Sequence, residues 1–103
     1  MTTKKRDSPM PQILVRHKVK DFDKWKASFD EDEPRRKAAV SKGCSLFFRE
    51  KDRNDVIVLC EWDDLGRAHR FAESDVTRER IERAGMIDRP EVHFLPDIER
   101  PAA

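Results

Sequence analysis

Residues Val56 to Trp62 read Val-Ile-Val-Leu-Cys-Glu-Trp. This run is apolar at both alternating sets of positions, whereas a strand with one wet face alternates apolar and polar residues. We therefore expect a β-strand that is covered on both faces. A chain of 103 residues is too small to cover both faces of a sheet by itself, so a second molecule is expected on one of them.

The charge balance excludes several kinds of partner. The chain has 22 basic and 21 acidic residues and a net charge of +1, which gives no reason to expect a nucleic acid or an anionic membrane. No apolar stretch approaches the roughly 18–20 residues of a membrane span, and the N-terminus lacks the apolar core of a signal peptide. We expect a cytoplasmic protein in which Cys44 and Cys60 are both reduced.

Periodicity and capping residues predict the order of the other elements. Strands are expected at 12–19, 44–50, 56–62 and 91–98. A first helix follows the N-cap Asp21, either kinks at Pro34 or restarts with Pro34 in its first turn, and stops at Gly43. A second helical region follows Asp63 or Asp64, and a short helix covers 77–83. The charged run 30–37 is interpreted as a solvated helix face with ion pairs four residues apart.

The second and third strands are predicted to form a hairpin around a turn at 52–55, with Lys51 paired to Val56. In that register Phe47 faces Cys60. Cys44 and Cys60 then fall on opposite faces of the sheet, which argues against a disulfide between them.

The order β-α-β-β-α-β predicts an α+β protein of the ferredoxin-like class, with an antiparallel sheet in a single domain at 12–98 and flexible tails at 1–11 and 99–103. The third strand is expected at the centre of the sheet and the fourth at its edge, where Pro96 is tolerated. Both helical regions cover one face. The other face would expose several large apolar side chains at a cost of several kcal/mol, so we predict a homodimer through this open face.

Three segments carry a family resemblance: Val-Arg-His-Lys-Val-Lys-Asp-Phe-Asp-Lys-Trp-Lys at 15–26, Glu-Trp-Asp-Asp-Leu at 61–65 and Phe-Ala-Glu-Ser at 71–74. The chain resembles the dimeric α+β barrel superfamily, in particular the small antibiotic-biosynthesis-monooxygenase-like proteins. The resemblance implies a homodimer with a ligand cleft between sheet and helices in each protomer. It also implies no cofactor, because active members oxidise polycyclic aromatic substrates without metal or flavin, while others degrade haem, cyclise polyketides or isomerise lactones.

The resemblance matches the strand-end tryptophan of the family to Trp62. Phe71 stands where the monooxygenase branch carries a helix histidine, with His69 two residues away, and the first strand has no counterpart of a catalytic asparagine. The Asn-Trp-His constellation of that branch is therefore not carried over as a whole.

His17 is the candidate catalytic residue, because imidazole can take or give a proton near neutral pH. The alternative is a histidine hydrogen-bonded at the margin of the core. The candidate ligand-binding residues are Trp25, Phe48, Arg49, Trp62 and Phe71. None of the three histidines forms a metal-ligand motif with another histidine, a cysteine or a carboxylate, so no metal is expected. Two functions stay open: a dimeric protein that binds a small hydrophobic or aromatic molecule, and a cofactor-independent monooxygenase or cyclase acting on aromatic or polyketide-like substrates.

Overall fold

A computed structural model describes residues 10–39 and 41–99, and the predicted tails lie mostly outside these ranges. The described part contains four strands and four helices: β1 (Gln12–Lys18), α1 (Phe22–Glu31), α2 (Glu33–Ala38), β2 (Ser41–Arg49), β3 (Asp52–Trp62), α3 (Leu65–Ala72), α4 (Asp75–Arg83) and β4 (Glu91–Leu95). None of these helices is long and apolar enough to cross a membrane.

The four strands form one antiparallel sheet in the order β2-β3-β1-β4, which confirms the predicted ferredoxin-like topology. Strand β3 is central and β4 lies at an edge, as predicted. One detail is wrong, since β4 ends at Leu95 and Pro96 lies beyond it. Proline cannot donate a hydrogen bond to a neighbouring strand, so the strand ends before it.

The register decides which side chains meet the helices. Residues directly opposite each other in an antiparallel pair share a face, and β1 places His17 opposite Val56 and Ile13 opposite Cys60. We call the side of the sheet that packs against the helices the helix face; on β3 it carries the buried residues Val56, Val58, Cys60 and Trp62. The opposite side, which includes Ile57 and Leu59, is the open face.

The β2–β3 hairpin differs from the prediction. Its turn lies at Glu50 and Lys51, and β3 begins at Asp52. An irregularity between Phe48 and Arg49 then shifts the pairing so that Phe48 lies opposite Val56. The predicted register is therefore wrong by three residues, which exchanges the faces of β2 relative to β3.

The residues that favour a turn at 52–55 have other partners in the folded chain. The Asn54 side chain accepts a hydrogen bond from the backbone N–H of Phe22 (2.9 Å), and the Asn54 carbonyl accepts one from Val19 (2.9 Å). Asp55 accepts two hydrogen bonds from the Arg16 guanidinium, at 3.1 and 2.9 Å. These tertiary contacts hold residues 52–55 in β3. Turn propensity depends only on neighbours along the chain, so it does not predict such contacts.

The corrected register places Cys44 directly opposite Cys60, and the two form a disulfide with their Cα atoms 4.0 Å apart. The expectation of two reduced cysteines is therefore wrong. It rested on an expected cytoplasmic location, and the argument from opposite faces that agreed with it depended on the incorrect register. Disulfides persist mainly in oxidising compartments and are rare in cytoplasmic proteins. The expected cytoplasmic location therefore stays a prediction.

Capping explains where most helices begin. The Asp21 carboxylate accepts hydrogen bonds from the backbone N–H groups of Asp23 and Lys24, which confirms it as the cap of α1. Pro34 lies in the first turn of α2, so of the two predicted alternatives the helix restarts there and does not kink. The expected stop at Gly43 is wrong, because α2 ends at Ala38 and Gly43 belongs to β2, with a φ of 134°.

Candidate ligand cavity between the sheet and the helices

A cavity of about 260 Å³ lies between the helix face of the sheet and the helices. Its volume is just below the roughly 300–1,000 Å³ of common small-molecule sites. Strands β1, β3 and β4 supply one side, and the helical segments supply the other. The lining is mainly apolar and aromatic near the sheet and charged at the helix ends, and includes Ile13, Val15, His17, Trp25, Phe29, Arg36, Val58, Cys60, Trp62, Phe71 and Arg80.

His17 reaches the cavity from β1 and is only 5% exposed. The rings of His17 and Trp25 are in edge-to-face contact, with their centroids 5.6 Å apart. Among the described residues, His17 Nδ1 has no hydrogen-bond partner. Burial lowers the pKa of His17 below its ordinary value, so the imidazole is neutral at neutral pH. A neutral imidazole in this position can accept a proton or donate a hydrogen bond, depending on its tautomer.

Trp62 ends β3 on the same face and is 2% exposed. Its backbone N–H donates to the Pro11 carbonyl at 2.9 Å, and its ring packs against Phe71 with centroids 5.1 Å apart. Within residues 10–39 and 41–99, the indole Nε1 has no acceptor. Two residues of the cavity lining, His17 and Trp62, therefore each have one buried polar atom without a partner among the described residues.

Two rows of stacked side chains line the cavity. In the first row, Trp25 stacks on Phe29 at 5.3 Å, and the Arg36 guanidinium lies over the Phe29 ring at 3.7 Å. In the second row, Trp62 packs on Phe71, and the Arg35 guanidinium lies 4.3 Å from the Phe71 ring centre. Each row therefore runs from an indole near the sheet to a guanidinium on α2.

A polar network joins the start of α2 to α4. Asp32 pairs with Arg35 at 3.0 Å and with Arg80 at 3.1 Å, and Arg35 donates to the Thr77 hydroxyl at 2.8 Å. The Asp32 side chain is only 14% exposed, so its interpretation as part of a solvated face is wrong. The Glu33–Lys37 pair, at 3.7 Å, is exposed as predicted.

The cavity brings together four of the six residues predicted for a site: His17, Trp25, Trp62 and Phe71. Phe48 lies outside it, is 53% exposed and packs on Phe22 with centroids 5.7 Å apart. Arg49 also lies outside it, 3.6 Å from Asp55 on the open face.

Sequence reasoning did not single out Phe29 or Arg36 as cavity residues. Phe29 belongs to the helical stripe that begins at Phe22 and includes Trp25, so the stripe itself was the available signal. Nothing in the charged run 30–37 distinguishes Arg36 from its neighbours as a cavity residue. His69 stacks on Phe94 at 3.7 Å and pairs with Glu73, away from the cavity lining. The described residues contain no cluster of three or more histidine, cysteine or acidic side chains that could hold a metal.

Solved structures share this architecture, whereas no family model and no curated protein matches the sequence. A Bordetella bronchiseptica protein provisionally named an antibiotic biosynthesis monooxygenase superposes with a TM-score of 0.75 at 15% identity, covering 89% of this chain and 100% of its own. SnoaB, a cofactor-independent oxygenase from Streptomyces nogalater, gives 0.73 at 11% identity, with 90% and 97% covered. A conserved protein from Methanosarcina mazei gives 0.65 at 14% identity, with 87% and 94% covered.

These similarities establish the fold of the chain. It is an α+β protein with the ferredoxin-like fold of the antibiotic-biosynthesis-monooxygenase-like structures, which agrees with the resemblance in its sequence. At identities of 11–16% the superpositions establish neither an activity nor a ligand.

Proposed function

We propose that this protein is a homodimeric α+β barrel protein that binds a small hydrophobic or aromatic molecule in the cavity between sheet and helices. The observation that carries the proposal is a cavity whose lining includes Trp25, Phe29, Trp62 and Phe71, with buried polar atoms on His17 and Trp62 that have no partner among the described residues. A buried polar atom without a partner costs about 1–3 kcal/mol, and a ligand that supplies the partner recovers this.

The chemistry of these two atoms describes the ligand. An indole Nε1 is only a donor, so it needs an acceptor such as a carbonyl oxygen. His17 Nδ1 takes either role. A planar aromatic molecule with a polar oxygen fits between the rings of Trp25, Phe29, Trp62 and Phe71, because aromatic rings favour offset or edge contacts with one another.

Fluorescence can test binding directly, because Trp25 and Trp62 are the only tryptophans and the chain has no tyrosine. Titration with 2-naphthamide, which carries a carbonyl acceptor, is expected to change the emission in a saturable way. Naphthalene, which has no acceptor, should bind more weakly. Trp62→Phe removes the N–H donor and retains an aromatic ring. It should therefore weaken the binding of naphthamide and leave the binding of naphthalene almost unchanged. Absence of saturable binding of either compound would contradict the proposal.

The open face supports the homodimer. It carries the half-buried Leu14, Ile57 and Leu59, together with Phe47 at 50% exposure and Leu95 at 36%. These residues come from all four strands of the sheet, and an exposed apolar patch of this kind is typical of a protein interface. Light scattering at micromolar concentration should give twice the mass of one chain, and a monomer would refute this part of the proposal.

The second candidate function is a cofactor-independent monooxygenase or cyclase. Two observations favour it: the structural similarity to SnoaB and the neutral, buried His17 at the cavity. In an oxygenase reaction with molecular oxygen as oxidant, His17 would accept the proton that the substrate loses.

Oxygen consumption in the presence of an anthrone tests this second function. His17→Ala should abolish consumption while circular dichroism shows that the chain is still folded, although the melting temperature should fall because His17 is buried. His69→Ala is the matched control, since His69 does not line the cavity. If the wild type consumes no oxygen above the buffer rate, or if His17→Ala consumes it as fast, the base role is refuted.

A further inference from the structure

Arg36 is a partly buried cation at the cavity. It lies on α2, its guanidinium covers the Phe29 ring at 3.7 Å, and its Nη1 donates to the Phe29 carbonyl at 2.8 Å. Phe29 in turn stacks on Trp25, whose indole meets the His17 ring. Arg36 therefore ends the row of side chains that begins at His17 on the sheet.

The neighbouring Arg35 provides a comparison. Its Nε and Nη2 donate to the two Asp32 oxygens at 3.0 and 3.1 Å, so its charge is neutralised within the protein. Over residues 10–39 and 41–99, no carboxylate oxygen lies within ion-pair distance of the Arg36 guanidinium. The two arginines end two similar rows of rings, and only one of them has a carboxylate partner.

Electrostatics also distinguishes Arg36. Burial lowers its pKa, and the attraction of Asp32, Glu33 and Asp30 does not offset this. A desolvated guanidinium without a close counterion is costly, and a carboxylate in bidentate contact is its most favourable partner. Most of its five N–H donors remain for such a contact, since a single hydrogen bond to Phe29 is formed.

The other charged groups of the lining are already engaged or solvated. Arg80 pairs with Asp32, and Arg83 pairs with Glu79 at 3.5 Å. Glu31 is exposed to solvent, where water screens its repulsion of an incoming anion. Arg36 is therefore the cation of the lining best placed to bind an anion.

We propose that Arg36 binds the carboxylate of an aromatic carboxylic acid whose ring lies in the cavity beside Phe29 and Trp25. This inference rests on the proposed binding function and defines the class of ligand. A ligand ring stacked along the row from His17 presents its acidic group at the α2 end of the cavity. The site then selects for a negative charge at one end of a flat apolar molecule.

The test compares 2-naphthoate with 2-naphthamide, which have nearly the same shape and differ in charge. The wild type should bind naphthoate more tightly, as followed by fluorescence of Trp25 and Trp62. Arg36→Gln should weaken naphthoate about tenfold or more, the usual effect of losing a charge-assisted hydrogen bond, and change naphthamide less than about twofold. Arg36→Lys keeps the charge without the planar fork and should give an intermediate affinity for naphthoate.

Lys37→Gln is the matched control, because it removes the same charge from the same helix at a side chain 72% exposed. It should alter the affinity for neither compound. Equal weakening of both compounds in Arg36→Gln would mean that the row of rings was damaged, and would overturn the inference. Unchanged naphthoate binding in Arg36→Gln would also overturn it while leaving the proposed binding function intact. If neither compound binds the wild type, both proposals fail.

Discussion

The two faces of strand β3 have nearly the same apolar character and different surroundings. On the helix face, Val56, Val58 and Trp62 are no more than 5% exposed. On the open face, Ile57 and Leu59 are only half-buried, and the neighbouring Phe47 is half exposed. The apolar run therefore indicates that both faces belong in an interior, and this chain supplies only one of the two covers.

The polar groups on the two faces also differ. The open face contains an ionic cluster in which the partly exposed Arg16 and Arg49 contact the buried Asp55, and the hydrogen bonds from Arg16 lower the pKa of Asp55. The helix face contains neutral polar atoms, on His17 and Trp62, that have no partner among the described residues. Satisfied ions suit the edge of an interface, whereas unsatisfied neutral donors suit a ligand site.

The largest effect is expected for a charge on the helix face. Val58→Asp would place a carboxylate among buried apolar residues, and we expect a loss of more than about 4 kcal/mol in the free energy of unfolding. Since the free energy of unfolding of a domain of this size is about 5–15 kcal/mol, much of the variant protein should be unfolded. Urea denaturation followed by circular dichroism measures this. A loss below about 1 kcal/mol would contradict the burial of this face.

The disulfide joins the edge strand β2 to β3 on the helix face. Its cysteines are 16 residues apart, and a loop of this length predicts about 3 kcal/mol of stabilisation. Adding a dithiol reductant should therefore lower the melting temperature of the wild type. The Cys44→Ser/Cys60→Ser variant should already melt at the lower temperature and should not respond to reductant. A wild type that melts at the same temperature with and without reductant would contradict this prediction.

Leu59→Asp tests the open face with a residue adjacent to Val58. The protomer should stay folded, because Leu59 is only half-buried by its own chain. In the proposed homodimer the symmetric interface receives the charge twice, so its dissociation constant should rise about a hundredfold or more. Sedimentation analysis of the wild type and of Leu59→Asp measures this change. If Leu59→Asp unfolds the chain as Val58→Asp does, the two faces are equivalent and the comparison fails.

The smallest effect concerns pH. Burial lowers the pKa of folded His17 below its ordinary value of 6.5, so the unfolded chain binds the proton first as the pH falls. The contribution of neutral His17 to stability is complete above about pH 6.5 and decreases below it, by at most about 1.4 kcal/mol per pH unit. The free energy of unfolding of His17→Gln, measured by urea denaturation, should depend less on pH between 7.5 and 5.5 than that of the wild type, and an unchanged slope would contradict this prediction.

Much of the candidate site could be predicted from residue type and spacing. The stripe of Phe22, Trp25 and Phe29 on α1 and the alternation along β1 place Trp25 and His17 on surfaces that meet. Trp62 follows from its parity with Val56 and Val58. Phe48 was predicted to bind the ligand, but it lies outside the cavity. It shares a face of the sheet with His17, and its position on the edge strand β2 nevertheless keeps it away from the cavity.

The sequence alone determined the periodicity of each element, the cap at Asp21, the helix interruption near Pro34 and the order of strands that makes β3 central. These properties depend on neighbours along the chain. Only the tertiary structure decided the hairpin register, the Cys44–Cys60 disulfide and the different environments of Arg35 and Arg36. The reason is physical: Asn54 and Asp55 have turn propensities worth a fraction of a kcal/mol, and their contacts with α1 and Arg16 outweigh these once the chain has folded.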